Sequence, residues 1–530
     1  MLDGFVPWPD DLAEDYRRRG LWLNVPLGDL LHESCLRHAD RTAVVCGDER
    51  LTYRALSERS DRLARGLLTL GLRPLDRVVV QLPNVPEFVV VVLALLRAGL
   101  IPVLALPGHR RAEIASVTAH ADAMAYIIKD QHDGFDYRQL AREIDADPLL
   151  LVIVDGEAQE FTPLDGIGDD ETPLPDVDPA APALFLLSGG TTGAPKLIPR
   201  AHDDYGFVMR ATADAVGADA DFTYLAVNPA AHQAALACPG IFGTLLRGGK
   251  AVLSTTVRPD VIFPLIRQEG VTFTTVVPAV LRMWADSQRA RGPFPSLVIQ
   301  VGSAPLDPDL ARRAGEVLGC RIMRWYGISE GLLTHTRFDD PDDVAMGTEG
   351  RPMTAHDEVR VVDRSGAVVA DGEIGEMLTR GPYTIRGYFR APEVNARSFT
   401  PDGFFRTGDL VRRSTAGDIT VVGRAKEVIN RAGEKVSAEE VERQLRSHPA
   451  VEDAAVVGIA DDRLGERTYA FLVSDVADLE APAVKRYLRG CGLATYKIPD
   501  RVVRVEELPR TAMGKVDKNA LRLRATGPAT

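Results

Sequence analysis

A glycine-rich loop that carries several hydroxyl groups is the stretch of this chain best suited to bind an anion. It reads Ser188-Gly189-Gly190-Thr191-Thr192-Gly193-Ala194-Pro195-Lys196 and follows the apolar residues 183–187, whose length suits a buried strand. Its glycines let the backbone adopt positive φ and turn its amides toward a ligand. Four side chains carry donors for anionic oxygens: Ser188, Thr191, Thr192 and Lys196. The loop therefore predicts a phosphate-binding cradle.

The same loop departs from the Walker phosphate loop, in which Gly-Lys-Ser/Thr opens a helix. Here Pro195 precedes Lys196, and a residue before proline is pushed out of helical geometry. On its own, the loop has a plain alternative interpretation as a Gly/Thr surface turn.

Further segments place charged or aromatic side chains at predicted turns. They are Gly302-Ser303-Ala304-Pro305, Tyr326-Gly327-Ile328-Ser329-Glu330, Phe405-Arg406-Thr407-Gly408-Asp409-Leu410, Gly423-Arg424-Ala425-Lys426-Glu427, Asn430-Arg431-Ala432-Gly433-Glu434-Lys435 and Pro509-Arg510-Thr511-Ala512-Met513-Gly514-Lys515. Taken singly, each carboxylate is more often a turn residue that hydrogen-bonds its own backbone. Their order along one chain is what indicates a common site.

In this order the segments resemble the motifs of the adenylate-forming enzymes, the superfamily of acyl-CoA synthetases, peptide-synthetase adenylation domains and firefly luciferase. More narrowly, the chain resembles the stand-alone aryl-acid–AMP ligases that activate hydroxybenzoates for siderophores and related products. The likeness covers nearly the whole chain, including an N-terminal arm with Trp8, Tyr16 and Trp22 that generic adenylation domains lack. It implies ATP and Mg²⁺ as cofactors, and a carboxylate that is first adenylated and then passed to a thiol.

The resemblance assigns an ATP site. The implied ATP-binding residues are Ser188, Gly189, Gly190, Thr191, Thr192, Gly193, Lys196, Gly302, Ala304, Tyr326, Gly327, Asp409 and Arg424. Tyr326 would stack on the adenine, and Asp409 would accept hydrogen bonds from the ribose diol. Glu330 and Thr192 would be the metal ligands, since Mg²⁺ takes one or two carboxylates and completes its shell with phosphate oxygens.

Three residues are implied to be catalytic: Lys515, His232 and Lys426. Lys515 would bridge the substrate carboxylate and the α-phosphate, where a positioned cation stabilises the charge that builds during phosphoryl transfer. Lys426 would be the pivot of a rotating small domain. Gly433 and Lys435 would flank the channel through which a pantetheine thiol arrives.

The implied acyl pocket comprises His232, Gln233, Ala234, Cys238, Gly302 and Ser329. The dihydroxybenzoate enzymes typically show His-Asn-Tyr followed by Ser, so Gln233, Ala234 and Cys238 depart from their pattern. A thiol is a weak donor for a ring hydroxyl, and Cys at this position resembles the salicylate-activating relatives. Ala234 removes a large ring from the wall, which predicts a wider pocket and an acid such as a bicyclic carboxylate. The alternative is that Gln233 or Trp325 refills the space and the substrate stays monocyclic.

These segments need a framework of alternating strands and helices. Predicted strands lie at residues 42–46, 78–80, 101–106, 251–253, 273–277 and 297–301 and at Leu245-Leu246. Thr52 is a predicted cap of one helix, and Asn84 with Pro86 begins another. Strands separated by helices imply parallel sheets covered on both faces.

The chain changes character twice. Residues 351–422 hold short strands and frequent turns, which predict a β-rich subdomain. After Gly423 an α+β pattern returns, with a helix at residues 438–446. We therefore predict an α/β fold with a large N-terminal domain over residues 1–422, built of parallel or mixed sheets, helices and the β-rich subdomain. A small mobile α+β C-terminal domain follows over residues 423–530.

Composition and charge exclude several classes of protein. The chain has 530 residues, of which 45% are hydrophobic and 26% charged, as in ordinary globular proteins. A net charge of −13 argues against nucleic-acid binding. The five cysteines lack CxxC spacing, which is typical of reduced thiols. The acidic N-terminus does not suit a signal peptide, and the apolar run 88–96 is too short for a membrane span. We expect a cytoplasmic enzyme without membrane partners.

The expected partners are an aryl carboxylic acid and a phosphopantetheinyl carrier protein in trans, because no carrier motif follows Lys518. Free CoA is the alternative acceptor and would make the chain an aryl-CoA ligase. Lys485, Arg486 and Arg489 would meet an acidic carrier, or form a solvated helix face. A regulatory nucleotide-binding protein on a degenerate ligase fold is the rival from another class.

Overall fold

The computed structural model describes residues 2–144, 150–168, 171–188, 195–289, 292–303, 306–363, 365–424, 428–476, 479–509 and 516–526. The helices, in chain order, are α1 (Asp10–Arg18), α2 (Leu27–Arg37), α3 (Tyr53–Thr69), α4 (Pro86–Arg97), α5 (Arg111–Ala121), α6 (Tyr137–Ile144), α7 (His202–Ala215), α8 (Gln233–Ala237), α9 (Gly240–Leu246), α10 (Pro259–Glu269), α11 (Pro278–Ala285), α12 (Pro308–Leu318), α13 (Asp342–Gly347), α14 (Pro392–Ser398), α15 (Ala438–Arg446), α16 (Ala481–Gly490) and α17 (Lys518–Thr526), with a 3₁₀ turn at Thr495–Lys497.

The strands, in chain order, are β1 (Thr42–Cys46), β2 (Glu49–Thr52), β3 (Arg77–Gln81), β4 (Ile101–Leu104), β5 (Ala123–Lys129), β6 (Gln131–His132), β7 (Phe135–Asp136), β8 (Leu151–Asp155), β9 (Thr162–Pro163), β10 (Pro182–Ser188), β11 (Lys196–Ala201), β12 (Thr223–Ala226), β13 (Lys250–Leu253), β14 (Phe273–Val276), β15 (Val298–Val301), β16 (Arg321–Gly327), β17 (Leu333–His335), β18 (Arg351–Pro352), β19 (Glu358–Val362), β20 (Ile374–Arg380), β21 (Phe405–Arg413), β22 (Ile419–Arg424), β23 (Val428–Arg431), β24 (Glu434–Ser437), β25 (Asp453–Asp461), β26 (Gly465–Val473) and β27 (Arg501–Val505).

Two large sheets carry the N-terminal part of the chain. One has the order β11-β10-β4-β3-β5-β8-β9 and is parallel except for β11. The other has the order β18-β17-β16-β15-β14-β12-β13-β1-β2, with parallel central strands and antiparallel edges. A single apolar core contains side chains of both sheets and of α2, α3, α4, α7 and α9. The sheets therefore bury one face each against a shared layer of helices.

The parallel strands set the position of the predicted motifs. Because parallel strands run in one direction, β12, β14, β15 and β16 end at the same edge of their sheet. The segments that begin at Val277, Gly302 and Ile328 follow three of these ends. Ligands of open α/β sheets bind at this edge, and the cavity described below lies there.

One local prediction was wrong. Leu245 and Leu246 belong to α9 rather than to a strand, because two apolar residues define no period and cannot distinguish the two structures. The helix predicted to start with Asn84 and Pro86 is α4, which begins at Pro86 after the N-cap Val85. Thr52 caps α3 as predicted, its hydroxyl accepting from the amide of Ala55 at 3.1 Å.

The later part of the chain forms two smaller sheets. The antiparallel sheet β19-β20-β21-β22 confirms the β-rich subdomain predicted for residues 351–422. The C-terminal sheet β24-β23-β26-β25, with β27 beside β26, packs against α15, α16 and α17. Helix α15 spans the residues predicted for it. In the described ranges, no helix combines the length and the apolar character that a membrane span requires.

Candidate active site

A cavity of about 450 Å³ lies between the large sheets, the β-rich sheet and the C-terminal hairpin β23–β24. The predicted residues that border it are Ser188, Lys196, His232, Gln233, Ser329, Glu330, Gly433 and Lys435. These residues come from four distant parts of the sequence. The fold thus brings the predicted phosphate, acyl and thiol segments to one cavity.

Some predicted residues lie outside the described ranges: Gly189, Gly190, Thr191, Thr192, Gly193, Ala304, Lys426 and Lys515. Their assigned roles remain predictions. Arg424 is described by its backbone alone, which pairs with Asp409 across β21 and β22.

Tyr326 and Asp409 lie together beside this cavity. The hydroxyl of Tyr326, near the end of β16, donates to Oδ2 of Asp409 at 2.7 Å. Asp409 is buried, and its amide donates to Oγ1 of Thr407 at 3.0 Å. Thr407 itself borders the cavity. The two residues predicted to hold adenine and ribose are therefore neighbours on facing sheets.

Gly302 permits a close approach between two strands. A Cβ atom at this position would lie 2.3 Å from the carbonyl oxygen of Trp325 and 2.5 Å from its indole. No real Cβ tolerates such distances, so glycine is required here by packing. Gly327 ends the same strand, β16, that carries Trp325.

The predicted phosphate end of the cavity contains Lys196 and Glu330. Both contact Tyr388: the Lys196 ammonium lies 4.7 Å from the centroid of its ring, and its hydroxyl donates to Oε1 of Glu330 at 2.8 Å. In the described ranges, no group of three His, Cys, Asp or Glu side chains is placed to hold a metal. One carboxylate at a phosphate site fits Mg²⁺, which usually keeps waters and takes ligands from substrate phosphates.

His232 borders the predicted acyl end of the cavity. It caps α8, with Nδ1 accepting from the amide of Ala234 at 3.3 Å. Desolvation, assisted by the nearby Lys435 ammonium, lowers the pKa of His232 to about 4. The imidazole is therefore neutral at neutral pH, with its proton on Nε2.

Gln233, Ala234 and Cys238, which depart from the dihydroxybenzoate pattern, lie next to His232 in the wall of the cavity or directly behind it. Gln233 borders the cavity, and its Nε2 lies 3.8 Å from Sγ of Cys238. Ala234 and Cys238 lie behind it, with 1% and 2% of their surface exposed. A small void of about 10 Å³ is lined by Cys238 and Trp325, among other residues. In this conformation Gln233 lies between the cavity and Ala234. This is the arrangement expected from the alternative in which Gln233 fills the space and the substrate is monocyclic.

The N-terminal arm supports this wall from behind. Trp22 is buried and donates from Nε1 to the carbonyl of Pro382 at 3.0 Å. Tyr16 and Trp22 share an apolar cluster with Ala234, Cys238 and Trp325. The arm is therefore part of the framework of the predicted acyl pocket.

The C-terminal hairpin approaches the cavity from the other side. Gly433 has φ of +90°, and a Cβ there would lie 2.5 Å from Cγ1 of Val277. Asn430 donates from Nδ2 to the carbonyl of Ser303 at 2.5 Å. Glu434 lies between Gly433 and Lys435 in the sequence, and burial raises the pKa of its carboxyl group to about 7. The predicted thiol segment thus contacts the loops that end β14 and β15.

Sequence reasoning missed several residues of the site. Asn84 holds the loop before His232: its Nδ2 donates to the carbonyls of Ala226, Asn228 and Ser254, and its Oδ1 accepts from the amide of Ala230. Tyr388, Glu440 and Lys497 also border the cavity. No local pattern marks them, because their roles depend on contacts made far along the chain.

Comparison with known proteins identifies the family. A family model described as AMP-binding enzyme matches residues 31–389, and one described as AMP-binding enzyme C-terminal domain matches residues 440–515. The chain belongs to the AMP-binding enzyme family. The two matched regions lie on either side of residue 423, where the sequence predicts the domain boundary.

Individual members of the AMP-binding family are similar over the full length. The chain is 72% identical to triostin synthetase I of Streptomyces triostinicus, covering 100% of both chains. It is 49% identical to the 2,3-dihydroxybenzoate-AMP ligase of Bacillus subtilis (strain 168), covering 98% of each. The solved apo structure of Mycobacterium smegmatis MbtA is 42% identical, with a TM-score of 0.75 over 98% of each chain. The predicted resemblance to aryl-acid–AMP ligases and the predicted fold class are both confirmed.

Proposed function

We propose that this enzyme adenylates an aryl carboxylic acid with ATP and transfers the acyl group to a phosphopantetheine thiol. One observation carries the proposal: the phosphate residues Lys196 and Glu330, the acyl residues His232 and Gln233 and the thiol-side residue Lys435 border the same cavity. Membership of the AMP-binding family and similarity to a 2,3-dihydroxybenzoate-AMP ligase support it.

In the first half-reaction a carboxylate oxygen attacks the α-phosphorus, and pyrophosphate leaves. Tyr326 and Asp409 hold the nucleoside, while Lys196 and the 188–196 loop receive the phosphates. Mg²⁺ supplies charge neutralisation at the phosphates when bound, and Glu330 is the carboxylate positioned to hold it. Lys515 is proposed to stabilise the charge on the oxygens around the α-phosphorus.

In the second half-reaction the thiol loses its proton, its sulfur attacks the acyl carbon, and AMP leaves with the carboxylate oxygen. The contact of hairpin β23–β24 with the loops that follow β14 and β15 supports this step. We propose that the domain after residue 423 moves about Lys426 between the two steps. In that case Lys515 serves the first step and the hairpin serves the second.

We also propose that Gln233 is a movable wall and that the preferred acid is larger than dihydroxybenzoate. Its contact with Cys238 is to a thiol, a weak acceptor. Its Oε1 is buried, and among the described residues it has no hydrogen-bond partner. A larger acid therefore displaces this side chain at little cost, and a hydrogen-bond donor on its ring would satisfy the free oxygen.

The test is a panel of aryl acids in ATP–pyrophosphate exchange, followed by transfer to CoA or to a holo carrier protein. We expect exchange that depends on the acid and is fastest with an acid bulkier than salicylate. Absence of acid-dependent exchange would refute the adenylation. Preference for salicylate or dihydroxybenzoate over every bulkier acid would refute the movable wall. The transfer experiment identifies the acceptor.

Three basic residues were predicted to meet a carrier protein. Lys485 donates to the carbonyl of Asp500 at 2.7 Å, whereas Arg486 and Arg489 are exposed and accessible to a partner.

A further inference from the structure

Tyr388 joins two residues of the phosphate end that are distant in sequence. Its hydroxyl donates to Oε1 of Glu330 at 2.8 Å, and the ammonium of Lys196 lies over its ring, 4.7 Å from the centroid. The first contact fixes a carboxylate oxygen by a charge-assisted hydrogen bond. The second holds a cation by the negative face of an aromatic ring. One side chain thus sets the position of both an anion and a cation.

Tyr388 is itself held rigidly. It is 4% exposed, and its backbone is bound on both sides by the side chain of Asn395 in α14. The amide of Tyr388 donates to Oδ1 of Asn395 at 2.8 Å, and its carbonyl accepts from Nδ2 at 3.0 Å. The ring meets Phe405 edge-on, with centroids 6.3 Å apart. Little rotation of the ring is therefore available to let Lys196 or Glu330 drift.

The backbone around Glu330 is fixed separately from its side chain. The carbonyl of Glu330 accepts from the amide of Ile385 at 2.9 Å. The preceding carbonyl, of Ser329, accepts from Nη1 of the buried Arg200 at 2.9 Å. These bonds place the loop but leave the carboxylate rotamer open. The hydroxyl of Tyr388 is the contact that selects it.

We propose that Tyr388 is a positioning residue for the triphosphate of ATP, holding Glu330 through its hydroxyl and Lys196 through its ring. The proposal rests on the proposed adenylation, since it concerns the same phosphate site. Its two halves are separable by substitution. Tyr388→Phe removes the hydroxyl and keeps the ring, whereas Tyr388→Leu removes both.

The experiment measures ATP binding by titration calorimetry at a series of Mg²⁺ concentrations, without any aryl acid. For Tyr388→Phe we expect the Mg²⁺ concentration needed for half-maximal ATP affinity to rise about 10-fold or more, as for the loss of a hydrogen bond to a charged group. Affinity for ATP without Mg²⁺ should stay as in the wild type. For Tyr388→Leu we expect ATP affinity to fall at every Mg²⁺ concentration, because Lys196 also loses its support.

Tyr53→Phe is the matched control. Tyr53 is also buried, and its hydroxyl donates to the carbonyl of Gly249 at 2.5 Å, but it does not border the cavity. This control should lower the melting temperature and leave the Mg²⁺ dependence of ATP binding unchanged. The proposal is overturned if Tyr388→Phe shows the wild-type Mg²⁺ dependence, or if the control shifts it equally. Failure of the proposed adenylation would appear elsewhere, as absence of acid-dependent exchange in the wild type.

Discussion

Neutralising Glu113 should slow thiol transfer and spare adenylation. Glu113, in α5 of the N-terminal part, meets Lys497 at 3.0 Å, and Lys497 also meets Glu440 of α15 at 2.9 Å. The three side chains are 0%, 6% and 5% exposed. Glu113 also accepts from the amide of Ala494 at 3.1 Å. This buried triad holds the C-terminal sheet in the orientation that places the Gly433 hairpin at the cavity.

The expected magnitude follows from what Glu113→Gln removes. Burial opposes ionisation of Glu113, but Lys497 and His109 outweigh it and hold its pKa below the ordinary value. The substitution removes this charge and keeps an acceptor for Ala494, but it loses the second oxygen, which accepts from the backbone amide at the start of α5 at 2.9 Å. Lys497 retains Glu440, so the loss is smaller than the ~3–5 kcal/mol of a fully orphaned buried charge. We expect about 1.5–3 kcal/mol, the value of a hydrogen bond to a charged group.

That free energy corresponds to a shift of about 10- to 150-fold in the equilibrium between the proposed domain orientations. The assay compares single-turnover transfer from supplied aryl-AMP with ATP–pyrophosphate exchange. Transfer should fall by up to that factor, while exchange stays within about twofold of the wild type.

Glu269→Gln is the matched control for this prediction. Glu269 is 2% exposed and pairs with Lys250 at 3.0 Å and with Arg50, within one large sheet and its covering helix. It should lower stability and affect neither half-reaction selectively. Equal losses of transfer and exchange in Glu113→Gln, or transfer at the wild-type rate, would refute the reasoning.

Three further predictions concern the acid, the lysine and the pH profile. Ala234→Tyr should slow ATP–pyrophosphate exchange with bulky acids by about 10-fold or more, because the added ring overpacks the pocket. Exchange with salicylate should be unaffected. Equal losses for all acids would contradict the wide pocket. Lys515→Ala should slow ATP–pyrophosphate exchange about 10²- to 10³-fold and leave transfer from supplied aryl-AMP intact, and parallel losses would argue against divided roles. Glu434, whose pKa is about 7, is ionised above that pH and can then accept the thiol proton. The transfer rate should therefore rise with pH through 7, and Glu434→Gln should abolish this limb and cost about 10²-fold; an unchanged profile would exclude Glu434 as the base.

The sequence predicted those parts of the site that lie in local motifs at strand ends. Ser188 ends β10 and Glu330 follows β16, and each of these strands pairs in parallel with a neighbour of its own sheet. Gly433 lies in the turn of the antiparallel hairpin β23–β24. Their roles came from resemblance, since a carboxylate at a turn has no distinctive local signal. Helix α15 was predicted to the residue, and its apolar positions Ala438, Val441 and Leu445 recur at helical spacing within its 9 residues.

The remaining features depend on contacts that no local pattern encodes. Tyr388 contacts Lys196 from nearly two hundred positions away, and the partner of Glu113 lies at Lys497. Asn84 was interpreted only as part of a helix start. Its side chain donates hydrogen bonds to backbone carbonyls that lie 142–170 residues later in the chain. Leu245-Leu246 was assigned to a strand because a two-residue run has no period. Tertiary packing determines all four of these features, and the spacing of residues along the sequence does not reveal tertiary packing.

The most direct test of the proposed reaction follows one oxygen atom. The enzyme is given ATP, a thiol acceptor and an aryl acid labelled with ¹⁸O in both carboxylate oxygens. The ¹⁸O content of the AMP and the thioester is then measured by mass spectrometry. Attack of the carboxylate on the α-phosphorus, followed by cleavage of the acyl carbon–oxygen bond, predicts AMP that carries one ¹⁸O. Unlabelled AMP formed together with the thioester would contradict the acyl-adenylate route.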